Sequence, residues 1–205
     1  MSSTVDSDNV IGAAADFHEI LAAISKAPDL APVLAAMALD EVRHGVMTGE
    51  GPTTRGRVHF SRTIDAQDTA LCARILVEAG EACGRPVSRN EADVLFRIND
   101  AAQEREDGGR FDDLFVKAIA HHVLAAAGRD VPPREVALAP ATPIADWAAP
   151  ADFEAVDREI ANWLASHVRG SKRRGGPLNT IAALLIGAGA VHMASSLAAL
   201  LDFTA

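Results

Sequence analysis

Tyrosine is absent from this sequence, and aromatic residues make up only 4% of it. A catalytic tyrosine is therefore excluded, and the stacking platforms that hold single-stranded nucleic acids have little to be built from. Positive charge is also scarce. Lys and Arg number 19 against 28 Asp and Glu, which leaves a net charge of −9 and no basic face to track phosphates. DNA and RNA are not expected partners. Cysteine is limited to Cys72 and Cys83; on one continuous helical pattern they stand roughly 16 Å apart, beyond disulfide reach. Both are expected to be reduced core thiols. No nucleophile elbow, phosphate loop or paired-cysteine zinc motif occurs, so no catalytic residue and no organic cofactor is implied. The first ten residues, MSSTVDSDNV, carry neither the basic nor the apolar run of a secretory signal, and a cytoplasmic body is expected.

What the sequence does contain is apolar residues, 49% of its 205, many of them alanine. That length can bury one good core, and that composition favours closely packed helices over sheets. The fold class expected is all-α: a helical bundle with an N-terminal helical hairpin and a long apolar C-terminal helix. Residues 1–47 form the hairpin, interrupted at APDLAP, where Pro28 breaks the pattern and Asp29 can cap the second helix. Residues 48–64 hold glycines, a proline and no helical stripe, so they read as a loop or linker in which GRVHF is the one short strand candidate. Residues 65–170 are the bundle. Asp65 opens a helix carrying Leu71, Cys72, Ile75, Leu76 and Ala79 on one side. Val94, Leu95, Ile98 and Ala102 mark the next, and Phe111, Phe115, Ala118, Ile119 and His122 a third. A Pro-rich connector drapes over the bundle before a helix capped by Asp152 that buries Phe153, Val156, Ile160, Trp163 and Leu164. Residues 171–205 are a basic stretch followed by the apolar helix.

The turn EACGRPVSRNE, residues 81–91, raises the question of a ligand. Ser88 and Glu91 have capping-box spacing, in which the hydroxyl accepts from the amide three residues on and the carboxylate reaches back. Cys83, Gly84, Arg85, Pro86 and Val87 supply no side-chain oxygen, so a calcium loop is excluded. An apolar helix, a tight Gly turn, Val-Ser-x-x-Glu and a second amphipathic helix resemble the signature of TerB-like tellurite-resistance domains over about residues 65–127. The resemblance implies a helical bundle, a link to stress and to membrane-associated complexes, and acidic metal ligands. Cys83 stands where the family's acidic residue would be, and the turn is one residue longer between Gly84 and Val87.

Metal chemistry has a second foothold in Glu41-Val42-Arg43-His44. In ferritin-like proteins Glu-x-x-His gives one helix a bridging carboxylate and an imidazole for iron. Helical phase sets Glu41 and His44 on the side of Leu30, Leu34 and Met37, expected to face inward, and His122 points inward on its own helix. Glu41, His44 and His122 are thus the candidate metal ligands. No second Glu-x-x-His completes a di-iron set, and a histidine near a helix end also suits the helix dipole. His121, adjacent to His122, diverges from it by about 100° and does not form a paired ligand with it. His167, on the Trp163 face, reads as a hydrogen-bonded core histidine.

Leu178 to Leu201 contains no charged residue, and roughly 20 apolar residues suffice to cross a bilayer as a helix. Lys172, Arg173 and Arg174 precede it, on the side that stays cytoplasmic. The segment is either a tether to the inner face of the membrane or a helix packed by the others. His192, Ser195 and Ser196 weigh against insertion, and Gly187 and Gly189 permit close helix approach in either setting. The function expected is a non-catalytic helical interaction or scaffold module, with a protein partner or a second copy of itself. The alternative is a ferritin-like or other metal-binding helical protein.

Overall fold

The computed structural model describes residues 7–54, 56, 58–148, 156, 158–171 and 176–181. Helices dominate, as the composition implies: α1 (Ser7–Lys26), α2 (Ala31–Thr48), α3 (Ala66–Cys83), α4 (Arg89–Ala101), α5 (Arg110–Ala126), the single turn α6 (Arg134–Ala137) and α7 (Arg158–Gly170). Residues 177–181 are again helical. One cluster of buried side chains runs from Phe17 on α1 to Ile181, so the hairpin and the bundle share a core. Asp152, Phe153 and residues 182–205 lie outside the described residues.

Local chemistry accounts for the helix starts. Asp65 caps α3 as expected, accepting from the Gln67 and Asp68 amides at 2.8 and 2.9 Å, while Asp68 returns a carboxylate oxygen to the Asp65 amide at 3.2 Å. Helix α2 departs from the expectation. Its N-cap is Leu30, with no side-chain cap, and Asp29 is a solvent-exposed side chain 3.7 Å from Arg85. Pro32 in the first turn supplies the preset φ, so the helix starts without a capping carboxylate. Its end is set by Gly49, at φ +76°, where a Cβ would meet the backbone of His59 and Ser61 at 3.0 Å.

Residues 49–62 are tied to the helices. The His59 imidazole, with 1% of its side chain exposed, reaches the buried Asp68 carboxylate at 2.8 Å. The Arg62 amide donates to the Val46 carbonyl, and the Arg62 carbonyl accepts from the Gln103 and Glu104 amides at 2.7 and 3.0 Å. The described residues of GRVHF are not in a strand. The pairing lies just beyond it, where β1 (Thr63–Ile64) runs parallel to β2 (Glu104–Arg105), and two residues are too few to leave an alternating pattern in the sequence.

Three parallel helices position the site. Helix α2 packs on α3 and α4 through Ala31, Ala35, Ala38, Leu39 and Val42, and its alanines permit a close approach. Its first half faces the first half of α4 and its second half the second, with Asp40 3.5 Å from Arg97 between them, so the two run parallel. On the other flank α7 follows α4 in step. Arg89 meets Glu159 at 3.1 Å, Asp93 accepts from the Trp163 indole at 2.8 Å and from His167 at 2.7 Å, and Asp100 accepts from the Ser171 hydroxyl.

Candidate functional site

The turn at residues 84–91 does hold a ligand, but the ligand is the chain's own Arg134. The capping box is present: Ser88 Oγ accepts from the Glu91 amide at 3.3 Å, and Glu91 Oε2 accepts from the Ser88 amide at 2.7 Å. Glu91 is fully buried and also takes the Arg134 guanidinium in a two-pronged pair, at 2.7 and 3.1 Å. The remaining donors of Arg134 go to the carbonyls of Arg85 at 2.9 Å, Leu76 at 2.9 Å and Pro86 at 2.6 Å. All five N–H groups are thereby satisfied. Gly80 makes room for this, since a Cβ there would lie 2.6 Å from Arg134 Cδ. The far side of the turn is clasped by α5. His121 Nδ1 accepts from the Val87 amide at 3.3 Å while its Nε2–H donates to the Pro132 carbonyl at 2.8 Å, and His122 Nδ1–H donates to the Val87 carbonyl at 2.9 Å. Burial holds both imidazoles below the usual histidine range. The Glu91 carboxylate and the backbone of residues 85–88 are thus engaged by internal groups, and a hollow of about 330 Å³ lined by Gly84, Arg85, Pro86, His121 and Arg134 lies beside them.

The sequence-derived metal ligands are not brought together. Helix α2 buries its alanine face, which rotates Glu41 and His44, with Leu30 and Met37, out to solvent. Periodicity misled here because α2 carries two apolar stripes, and the buried one is that of Ala35, Ala38, Leu39, Val42 and Val46. His122 is half-buried, engaged with Val87 and edge-on to Trp163 at 5.0 Å. Among the described residues, the one group of three metal-capable side chains within 4.8 Å is His59, Asp65 and Asp68. There the carboxylates already cap α3 and the imidazole bonds one of them, an arrangement that anchors the 49–62 loop. Cys72 is fully buried, which pushes its thiol far above the usual range and removes it as a nucleophile or ligand at neutral pH.

An open groove lies instead along the seam of α2 and α4. From Val33 to Met47 it spans about 21 Å of helix. Its first part is a hollow of about 480 Å³ lined by Val33, Ala36, Met37 and Val94, with Asp93 and His167 at its edge. Its second part, about 540 Å³, is lined by Arg43, Arg62, Arg97 and Met47. Val33, Met37 and Met47 are 49%, 61% and 47% exposed. Asp40 stands between the two parts. Its hydrogen bond from Arg43, at 2.7 Å, holds its carboxyl below the usual range and raises the Arg43 guanidinium in turn. One carboxylate thus serves two guanidiniums, Arg43 and Arg97. Arg62, the non-glycine residue among those described with a left-handed backbone (φ +62°), has an exposed guanidinium with no ion-pair partner among the described residues.

No family model, curated protein or solved structure matches this chain. Among the described residues no helix is long and apolar enough to cross a membrane; of the uncharged run 178–201, only residues 178–181 are described.

Proposed function

We propose that this chain is a non-catalytic helical interaction module, of the kind the TerB-like resemblance implies, which receives a partner helix in the groove between α2 and α4. The observation that carries the reading is a second, exposed apolar stripe on α2. Its inner face buries Ala31, Ala35, Ala38, Leu39, Val42 and Val46, and a second apolar stripe, Val33, Met37 and Met47, is left exposed together with Leu30 at its N-cap. A helix serving only its own bundle gains nothing from apolar side chains on its outer face, because a side chain of that size contributes ~1.5–3 kcal/mol only when it is fully buried. A spaced apolar stripe above a groove is how one helix receives another. The turn at residues 84–91 supports a non-catalytic role, since Glu91, His121, His122 and Arg134 beside it are engaged within the protein.

The C-terminal run enters this proposal through its first turn. Leu178 and Ile181 are each 3% exposed within the core cluster, which supports a start that belongs to the bundle over a tail anchor. Alkaline carbonate washing of membranes from cells expressing the intact chain should leave it in the wash; retention with the membrane would favour the anchor.

The groove is tested with a fluorescent 15-residue helical peptide that carries Leu and Ala on one face. Anisotropy should show saturable binding to the intact chain. Met37→Asp should weaken it by about tenfold or more, the equivalent of one buried side chain, at an unchanged unfolding midpoint. Absence of binding, or indifference to that substitution, would remove the proposal.

A further inference from the structure

The groove has a polarity, and it selects the chemistry of its occupant. We infer that the partner is an amphipathic helix with carboxylates in its first turn, lying antiparallel to α2 and α4; the inference rests on the groove reading above. Three guanidiniums, of Arg43, Arg62 and Arg97, gather at one end of the groove, where Asp40 and Asp100 are the nearby acids. Asp100 is engaged by Ser171, and Asp40 is shared between Arg43 and Arg97. Positive charge is therefore in excess at this spot of a chain whose net charge is −9. The other end is lined by Asp93 and His167 and by the apolar Val33, Met37 and Val94, and its lining holds no arginine or lysine beyond the shared Arg97.

Two features set the direction. Because α2 and α4 run parallel, both present their C-terminal carbonyls at the arginine end, and neither carries a basic residue in its last turn. A helix entering with its N-terminus there aligns its positive pole with two negative ones. Carboxylates in that first turn stabilise the partner helix itself and also meet the guanidiniums, so one placement satisfies both requirements. Arg62 is aimed by its backbone: its carbonyl is fixed by Gln103 and Glu104, and the left-handed φ turns the residue out at the lip of the groove. Met47, beside the arginines, keeps an apolar contact at this end for the same helix.

Three peptides with one common Leu/Ala face test this on the intact chain: one with Glu residues in the first turn, one with Lys in their place, and one with the Glu residues moved to the last turn. The first should bind about tenfold tighter than the second, the sum of a few exposed ion pairs, and the gap should close with rising salt. The third should lose part of that advantage. Arg62→Ala and Arg97→Gln together should bring the Glu and Lys peptides within about twofold, while Met37→Asp weakens all three. Equal binding of the Glu and Lys peptides would overturn the acidic partner and leave the groove reading intact. If no peptide binds, both fall. Two other results would also overturn the inference: saturable binding to phosphatidylserine vesicles without peptide binding, which makes a lipid surface the occupant, and a dimer of the intact chain that Met37→Asp splits, which makes it a second copy.

Discussion

The same pair of residue types, arginine with a carboxylate, does opposite work at the 84–91 turn and in the α2–α4 groove. At the turn, Arg134 and Glu91 are buried, matched prong to prong, and every guanidinium N–H has an acceptor. In the groove, Arg43 and Arg97 share Asp40 at the surface, with side chains 25% and 56% exposed, and Arg62 adds a third guanidinium. A fully satisfied buried ion pair specifies how the Pro-rich connector lies against α3 and α4. A partly satisfied exposed set is free to recognise something else. Stability should therefore respond to the first region, and binding to the second.

The largest effect is expected from breaking the buried pair. Arg134→Met leaves Glu91 in the core without its counter-charge, held only by the Ser88 amide, and equilibrium denaturation should register a loss of ~3–5 kcal/mol. Adding Glu91→Leu should restore much of it, because removing both charges removes the uncompensated one. If Arg134→Met were neutral, the turn would not depend on the connector. Next in size is Gly80→Ala. The new methyl falls within the space of the Arg134 stem, and the expected loss is ~1–3 kcal/mol. Ser88→Ala, which removes only the capping hydroxyl, should cost about 1 kcal/mol by the same measurement.

Acid sharpens the contrast further. His121 and His122 are held below their ordinary value of 6.5 mainly by burial; Arg134 lies near the first, and Asp93, Arg89 and Glu91 near the second. The unfolded chain takes up their protons below about pH 6.5 while the folded chain does not, so stability rises with pH across that window and falls as pH drops from 6.5 towards the folded values. Denaturation midpoints should be lower at about pH 5.5 than at pH 7.5, and His122→Gln should flatten the difference. A slope unchanged by that substitution would assign the acid sensitivity to other groups. The smallest effect on stability belongs to the groove: Met37→Asp, at an exposed position, should stay within about 0.5 kcal/mol of the parent.

Much of this fold is legible in the sequence. The helix start at Asp65 and the capping box at Ser88 with Glu91 follow from residue spacing because the chemistry of a cap is confined to four consecutive residues. The inward faces of α3 and α5 are legible for the same reason, since their large apolar residues are the buried ones. Helix α2 carries two apolar stripes, of which one is buried. Ala31, Ala35, Ala38, Leu39, Val42 and Val46 are buried while Val33, Met37 and Met47 are not, so a reading that follows the stripe of Leu30, Leu34 and Met37 places Glu41 and His44 in a core they do not enter. Arg134 leaves no local mark at all. It lies 43 residues from Glu91 and follows two prolines in a connector, and only the packing of α6 on α3 brings them together. The groove is hidden for a related reason, because it needs both the true phase of α2 and the parallel alignment of α4 beside it.

The central claim, that the outer stripe of α2 is a receiving surface, is tested most directly by the methyl groups of Met37 and Met47. With methionine methyls labelled in the intact chain, titration with the peptide bearing Glu in its first turn should move both resonances along one saturating curve, with Met47 at the arginine end responding to the exchange of Glu for Lys. If both methyl resonances stay fixed while the peptide binds, the interaction lies elsewhere and the account of the groove is contradicted.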